Sequence, residues 1–420
     1  MARLRQLPKS HRKVLLRGSK FGEFFHWALF QEMIEESGYA DREYMEQLLQ
    51  GLNVTGRVLP SNVWGPEPVP EKRRPEKTAD EVLATAWEYR ALVRREMKLD
   101  QYSATVYKDS IEERDMGFCE GPFDESGVTQ HLAESGIQDP EKWIPLRRFG
   151  VEQKSKIRGC DDAAANGVNA TSCRDEKLAI SSVDAIAATI RLWRKLVPDV
   201  RLGGWALDEY KAYRQVPIAL SERRFAVVAV TDPNPDRDGV ARPKVVYFVM
   251  NGHCFGYTNA VYNYCRRPRA LRHVLMHLFK VPTDDYVDDR WGLEPMGSIA
   301  SSYWCTTEVV RMLGIRVQDD KAQGPEDTIP KEGPGSDKEP WTRPELLGVI
   351  FDLDKYEAQI KPKRREALVQ EINSILANGR LPAGQASKLK GKLQFACCTL
   401  FGRSGRAYVR ALSERQYEHK

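Results

Sequence analysis

Two adjacent carboxylates, Asp288 and Asp289, follow an aromatic and a β-branched residue in the run Tyr286-Val287-Asp288-Asp289, with Arg290-Trp291 next. That order suits a tight hairpin whose tip holds a divalent cation. A third candidate carboxylate, Asp208, lies upstream in Trp205-Ala206-Leu207-Asp208-Glu209-Tyr210-Lys211-Ala212-Tyr213-Arg214-Gln215-Val216-Pro217-Ile218. Acidic groups on two strands can converge on a pair of metal ions that activate a hydroxyl and steady a phosphate leaving group. All-oxygen ligation selects Mg²⁺ or Mn²⁺ over zinc. Alone, the tetrapeptide is a weak signal, because adjacent aspartates occur in many turns and Asp284-Asp285 marks this loop as acid-rich. The alternative for Asp208 is a strand-end cap.

Strands and helices must bring these carboxylates together. Val200–Leu207 reads as a strand running into Asp208, after an amphipathic helix over Ser182–Val197 whose Val183, Ile186, Ile190, Trp193 and Val197 share a face. Phe225–Val230 and Lys244–Met250 form a hairpin around a Pro- and Asp-rich turn. Helices are expected over Ala79–Met97, Arg269–Phe279, Ile299–Leu313 (stopped by Gly314), Lys363–Ala377 (ending at Gly379) and Gln385–Arg410, with a break near Gly402. Leu346–Leu353 reads as a short strand pair. Antiparallel strands packed on one face by helices define an α+β layer. Five prolines between 60 and 77 predict an extended linker or surface wrap, and 323–340 reads as a polar loop.

The 420 residues, 41% apolar, are enough for two or three domains or one multi-lobed one, and exclude a disordered chain. A net charge of +5 says little about partners. Its distribution says more: Arg3, Arg5, Lys9, Arg12, Lys13, Arg17 and Lys20 crowd the N-terminus without an acid, as a solvated arm or a polyphosphate contact. Eight cysteines, with no C-x-x-C pair and no His at zinc spacing, read as the reduced thiols of an intracellular protein, cytoplasmic or nuclear. No apolar run is long enough for a transmembrane helix, so no membrane partner is expected.

The two acidic segments resemble motifs A and C of reverse transcriptases, the RNA-directed DNA polymerases of retroelements, and they keep that family's ordered company. Upstream, Leu146-Arg147-Arg148-Phe149-Gly150-Val151-Glu152-Gln153-Lys154-Ser155-Lys156-Ile157-Arg158-Gly159-Cys160-Asp161-Asp162 looks like the fingers segment. Phe255-Gly256-Tyr257-Thr258-Asn259-Ala260 falls between the acidic segments; Leu313-Gly314 with Lys321 resembles motif D. Leu347-Gly348-Val349-Ile350-Phe351 resembles the primer grip, and Lys388-Leu389-Lys390-Gly391-Lys392-Leu393 the thumb. The resemblance spans roughly residues 110–410 and is closest to DIRS-type and related long-terminal-repeat retrotransposon polymerases. It implies a right-hand polymerase fold with an antiparallel palm sheet, fingers and thumb. The expected divisions are a basic arm, helical piece and Pro-rich linker over 1–78, an N-terminal helix and fingers over 79–200, a palm over 201–340, and primer grip and thumb over 341–420.

The resemblance also implies roles. Asp208, Asp288 and Asp289, with the backbone carbonyl of Glu209, would hold two Mg²⁺ (or Mn²⁺), and Lys321 would act as general acid toward pyrophosphate. Lys156 and Arg158 would hold the triphosphate of a deoxynucleotide, in a basic run that otherwise reads as a solvated strand face. Tyr213 matches the steric gate that rejects a ribose 2′-hydroxyl, and also reads as an ordinary buried tyrosine. Phe255 and Gly256 would meet the nucleotide base. Tyr286, Gly348, Lys388, Lys390, Lys392 and Arg403 would contact a primer on an RNA or DNA template, or else be a solvated basic face.

Two departures stand out. Gly159 replaces the family's proline, and Glu209 stands where it has an apolar residue. No acidic cluster for an RNase H follows the thumb segment, so an RNase H is expected elsewhere in a retroelement polyprotein, or the chain is a decaying copy. Two other functions stay open: a catalytically silent remnant that binds nucleic acid, and an RNA-directed RNA polymerase, against which Tyr213 argues.

Overall fold

The computed structural model describes residues 6–16, 25–153, 156–234, 244–318, 321–324 and 340–418. Lys154, much of the turn after β5 and most of the 323–340 loop lie outside the described residues, as do Arg3, Arg5, Arg17 and Lys20. Along the chain run strands β1 (Cys119–Phe123), β2 (Pro145–Gln153), β3 (Lys156–Asp162), β4 (Leu202–Asp208), β5 (Val227–Asp232) and β6 (Lys244–Met250). They are followed by β7 (Thr283–Tyr286), β8 (Asp289–Pro295), β9 (Glu345–Leu346), β10 (Val349–Asp352) and β11 (Glu357–Ile360). The architecture is mixed α/β, in two units.

The first unit comprises Met1–Ala179, Glu209–Leu278 and Val309–Arg316. Its five-stranded sheet has the order β1-β6-β5-β2-β3 and is mixed, because β2 pairs parallel to β5 while its other ladders are antiparallel. The β5–β6 hairpin thus belongs with β1–β3 rather than with the strand that ends on Asp208. Both strands are apolar runs because both of their faces are covered. Val227, Ala229, Tyr247 and Val249 pack on Val93, Val128, Leu132 and Trp143, while Phe248 on the opposite face meets Tyr107 of the helix Ser103–Asp115.

Two elements of this unit differ from expectation. The helix expected from Arg269 begins at Thr258 and runs through Pro268 to Leu278. Tertiary pairing outweighs the proline: Arg266 is fully buried in a two-pronged pair with Asp41, both distances 2.7 Å, and Arg267 pairs with Glu209 at 2.5 Å. The Pro-rich segment and the residues that lead into it are tied down as a wrap, with Leu52 N donating to Pro217 O, Val58 N to Cys173 O and Glu67 N to Asp175 O. Asn259 and Asn263, without a role in the sequence, hold it through Gly56 O and Asn53 O. The buried Glu176 carboxylate accepts from Ser61 N, Ser61 Oγ and Asn62 N at 2.7–2.8 Å.

The second unit comprises Ile180–Asp208, Phe279–Glu308 and Val317–Lys420. It holds two antiparallel three-stranded sheets, β4-β8-β7 and β11-β10-β9. Ile186 and Ile190 of the helix Val183–Leu196 pack on Leu202, Trp291 and Leu293 of the first sheet and Leu346, Val349 and Phe351 of the second. The helices Pro362–Asn378 and Ala383–Ala396 follow; the latter gives way to 3₁₀ turns before the helix Arg410–Arg415. Among the described residues no helix is long and apolar enough to cross a membrane.

Glu176→Ala leaves three donors of the wrap without their acceptor, at a cost of about 1–3 kcal/mol. Limited proteolysis within residues 60–75 is expected to accelerate roughly tenfold or more, while cleavage elsewhere keeps its rate.

Candidate active site

β4 and β8 pair from Leu202↔Pro295 to Asp208↔Asp289, and β7 and β8 from Thr283↔Gly292 to Tyr286↔Asp289. Asp208 and Asp289 therefore lie opposite each other at one end of the sheet, and Val287 and Asp288 alone make the turn. Bulk fixes the register. Trp205 faces Gly292, where a Cβ would come within 2.4 Å of the indole, and Trp205 Nε1 donates to Ser302 Oγ at 3.1 Å. A one-residue slip would put side chains where the indole lies and separate the carboxylates. Two-residue hairpins favour glycine where the first turn residue is left-handed. Here Val287 takes that conformation, with φ of 54°, which is strained for a β-branched side chain.

Lys321 joins this end of the sheet. Gln318 N donates to Asp208 O at 2.7 Å and Gln323 N to Ala206 O at 2.8 Å, laying the segment along β4. Lys321 Nζ then donates to Asp208 Oδ2 at 2.7 Å. The resemblance singled out the lysine; no sequence signal marked the two glutamines that deliver it. The Asp289 carboxyl is pushed up to about 7, first by burial, then by the charges of Asp288 and Asp208, while Lys321 pulls the other way. A carboxyl near neutral is a site short of positive charge. Hard divalent cations are the group that oxygen donors with this deficit fit. Among the described residues, no three His, Cys, Asp or Glu side chains stand already gathered as a metal cage.

The remaining site candidates of this unit are placed as follows. Tyr286 is 40% exposed at the end of β7. Leu347 and Gly348 form the β9–β10 turn, both with positive φ. On the helix Ala383–Ala396, Lys388 and Lys392 are exposed one turn apart. Lys392 pairs with Glu371 at 2.7 Å, and Lys390 reaches Gln416. Arg403 pairs with Asp184.

In the first unit, Lys156 and Arg158 are exposed on one face of β3. Tyr213 is 8% exposed and meets the Phe255 ring edge-on at 4.8 Å and Tyr264 at 5.3 Å. Gly256 has φ of 100°, and a Cβ there would fall 2.0 Å from Asp161 O. The close approach that glycine permits is thus to this chain's own backbone. The Glu209 side chain is buried on Arg267.

Four charged residues of this unit form a network that the sequence did not mark as functional. Arg148 Nε donates to Asp161 Oδ1 at 2.6 Å and Nη1 to Glu113 Oε2 at 3.1 Å. Arg214, next to Tyr213, donates to Glu113 Oε1 at 3.0 Å and Asp161 Oδ2 at 3.3 Å. Burial pushes the Glu113 carboxyl up, yet Arg214, Arg148 and Lys211 hold it well below the usual range. Arg148, read from the sequence as part of a basic run, is therefore a buried structural cation; Gly159 leaves room for its stem, 3.1 Å from where a Cβ would be. The signal lay in the register, since the ladder that pairs Gln153 with Lys156 also pairs Arg148 with Asp161.

No known family's sequence model matches this chain, and no curated protein matches it. Among solved structures, a foamy viral protease–reverse transcriptase in complex with double-stranded DNA is similar over 88% of this chain, with a TM-score of 0.45 and 11% identity. This chain spans 52% of that one. A likeness that weak says nothing about the chemistry of this chain, which rests on its own residues.

Two expectations follow. In metal-free protein the Asp289 carboxyl stands above its unfolded value, so its stabilisation is complete below about pH 4 and is lost as pH rises through 7. Asp289→Asn should remove that slope, worth roughly 2–4 kcal/mol, in urea melts across this range; in the parent, added Mg²⁺ should lower the carboxyl titration seen by carbon-detected NMR. Val287→Gly should relieve the turn and raise stability by about 1 kcal/mol.

Proposed function

We propose that this chain is an RNA-directed DNA polymerase of a retrotransposon, in which β4, β7 and β8 form the palm sheet of a right-hand fold. The supporting observation is the juxtaposition of Asp208 and Asp289 across a β-ladder, with Asp288 in the intervening turn, on the two segments that resemble motifs A and C. Asp208, Asp288 and Asp289, with the Glu209 carbonyl, would hold two Mg²⁺ (or Mn²⁺), which when bound activate a primer 3′-hydroxyl and neutralise departing pyrophosphate. The Glu209 side chain, kept by Arg267, adds no further charge to that set.

The chain's own groups do the rest. Lys321 holds a proton at Nζ for the pyrophosphate oxygen. The Tyr213 ring, braced edge-on by Phe255 and Tyr264, is a rigid wall suited to excluding a 2′-hydroxyl. Arg158 and Lys156 are solvent-facing cations suited to a triphosphate. Gly348 matches the primer grip, and Lys388, Lys390, Lys392 and Arg403 match cations on template–primer phosphates, with part of their charge already neutralised by Glu371 and Asp184. Substrates are deoxynucleotides and a primer on an RNA or DNA template, with an RNase H supplied by other parts of a polyprotein.

One observation favours the silent, nucleic-acid-binding alternative: the Lys321 ammonium already sits on Asp208. Primer extension on an RNA template with Mg²⁺ and deoxynucleotides separates the two. The proposal expects extension that falls at least about a hundredfold in Asp288→Asn, and ribonucleotide use that rises roughly tenfold or more relative to deoxynucleotides in Tyr213→Ala. Tight template–primer binding without extension in Mg²⁺ or Mn²⁺ would establish the alternative.

A further inference from the structure

The helix Val183–Leu196 has one face in the core of the second unit. Ile186 and Ile190 are buried there, and Trp193 Nε1 donates to Leu293 O at 2.7 Å, which fixes the rotation of the helix. Helical spacing then puts Ala188, Leu192 and Leu196 one turn apart on the opposite side. All three are exposed, Leu192 by 56% and Leu196 by 61%. A helix that covers a core with one face ordinarily turns polar and charged residues to water with the other. Here the middle of the outward face is an apolar stripe.

Cations flank that stripe. Arg191 and Lys195, one turn apart, are exposed beside the two leucines. Residues 185–198 contain no acid. Among the described residues no carboxylate pairs with Arg191 or Lys195. Their charged neighbours on the helix are engaged: Asp184 pairs with Arg403, and Arg194 lies over the Tyr356 ring at 4.0 Å. Positive charge in the last turn suits the helix macrodipole. That accounts for Lys195, but neither for Arg191 a turn earlier nor for leucines facing water.

Shape and charge together select an occupant. A ridge of side chains at four-residue spacing packs into the groove of a second helix. Leucine offers nothing to phosphate oxygens, so the stripe is a poor contact for nucleic acid. Two leucines on a helix whose other face is held in a core cannot sink into a bilayer as a free amphipathic helix does. In a symmetric pair of this chain the same face would meet itself, Arg191 and Lys195 included, and like charges across an interface oppose association. We propose that this face docks an acidic amphipathic helix of a partner protein. The partner's apolar side chains, three and four residues apart, cover Leu192 and Leu196, and its carboxylates pair with Arg191 and Lys195. Ala188 leaves room at one end of the stripe for a larger side chain of the partner. The face shares no residue with the carboxylate cluster, so it stands or falls apart from the polymerase reading.

The test titrates the full chain into a fluorescently labelled helical peptide and follows anisotropy. The peptide carries leucines at alternating three- and four-residue spacing, with glutamates at the positions beside them; a twin has lysine in place of every glutamate. The proposal expects saturable binding of the glutamate peptide, about tenfold or more tighter than the lysine twin and weakened by salt. Leu192→Ser and Leu196→Ser should each weaken it roughly tenfold at an unchanged unfolding midpoint. Arg191→Glu with Lys195→Glu should reverse the preference, so that the lysine twin binds better; this variant keeps both leucines and decides the matter if either serine variant is unstable. A glutamate peptide that does not bind, or that binds Leu192→Ser as well as the parent, overturns the proposal. So does a dimer of the chain that Leu192→Ser disperses, which gives the face to a second copy, or binding to phosphatidylserine vesicles that Leu192→Ser abolishes, which gives it to a membrane surface.

Discussion

Mutual repulsion among three carboxylates is the constraint around which the second unit is arranged. Asp208 and Asp289 face each other across a ladder, Asp288 is one residue away, and the Lys321 ammonium pairs with Asp208. Burial first, and then this repulsion, push the Asp289 carboxyl into the neutral range. Register, bulk and a strained turn all act to hold this arrangement. Trp205 needs Gly292 opposite it, and Val287 accepts a left-handed backbone that a glycine would adopt more easily. Strain in a short turn is informative when the turn carries a functional group, because a relaxed sequence was available.

The first unit treats buried charge in the opposite way. Glu113 and Asp161 are buried more deeply than those three, but Arg148 and Arg214 lie against both, and Glu113 stays ionised far below the usual carboxylate range. Arg266 and Arg267 are matched likewise by Asp41 and Glu209. Such networks add little net stability but penalise any packing that breaks them. Their consequence here is positional. Arg214 is adjacent to Tyr213, and the Asp161 backbone abuts Gly256, so the same network fixes the aromatic wall and the glycine beside it. The first unit thus matches its buried acids with arginines, whereas in the second the Asp289 carboxyl stays raised beside Asp288 and Asp208.

Much of this was legible in the sequence, for physical reasons that can be named. The helix over Val183–Leu196 and the strand ending on Asp208 were written in apolar periodicity, and the turn at Val287-Asp288 in its acid pair. Gly314 and Gly379 ended their helices with left-handed backbones, as their positions suggested. What periodicity could not carry was pairing between distant segments. The parallel β2–β5 ladder, the helix continuing through Pro268 and the wrap fastened by Glu176 all depend on contacts remote in sequence. The ion network was hidden for a related reason: a row of cations reads as a solvated face until the hairpin register puts Asp161 opposite Arg148. Lys321 could be named from its company, but its seat on Asp208 depends on Gln318 and Gln323, which have no pattern to betray them.

The central claim, that the ends of β4 and β8 form a seat for divalent cations, is tested most directly by metal-directed backbone cleavage. Fe²⁺ replaces Mg²⁺ at oxygen-ligand sites, and with ascorbate and peroxide it generates radicals that cut the chain where it is bound. The account predicts cuts at residues 206–209 and 286–289, suppressed by excess Mg²⁺ and lost in Asp208→Asn. Cleavage elsewhere, or cuts at these positions that persist in Mg²⁺ and in Asp208→Asn, would contradict it.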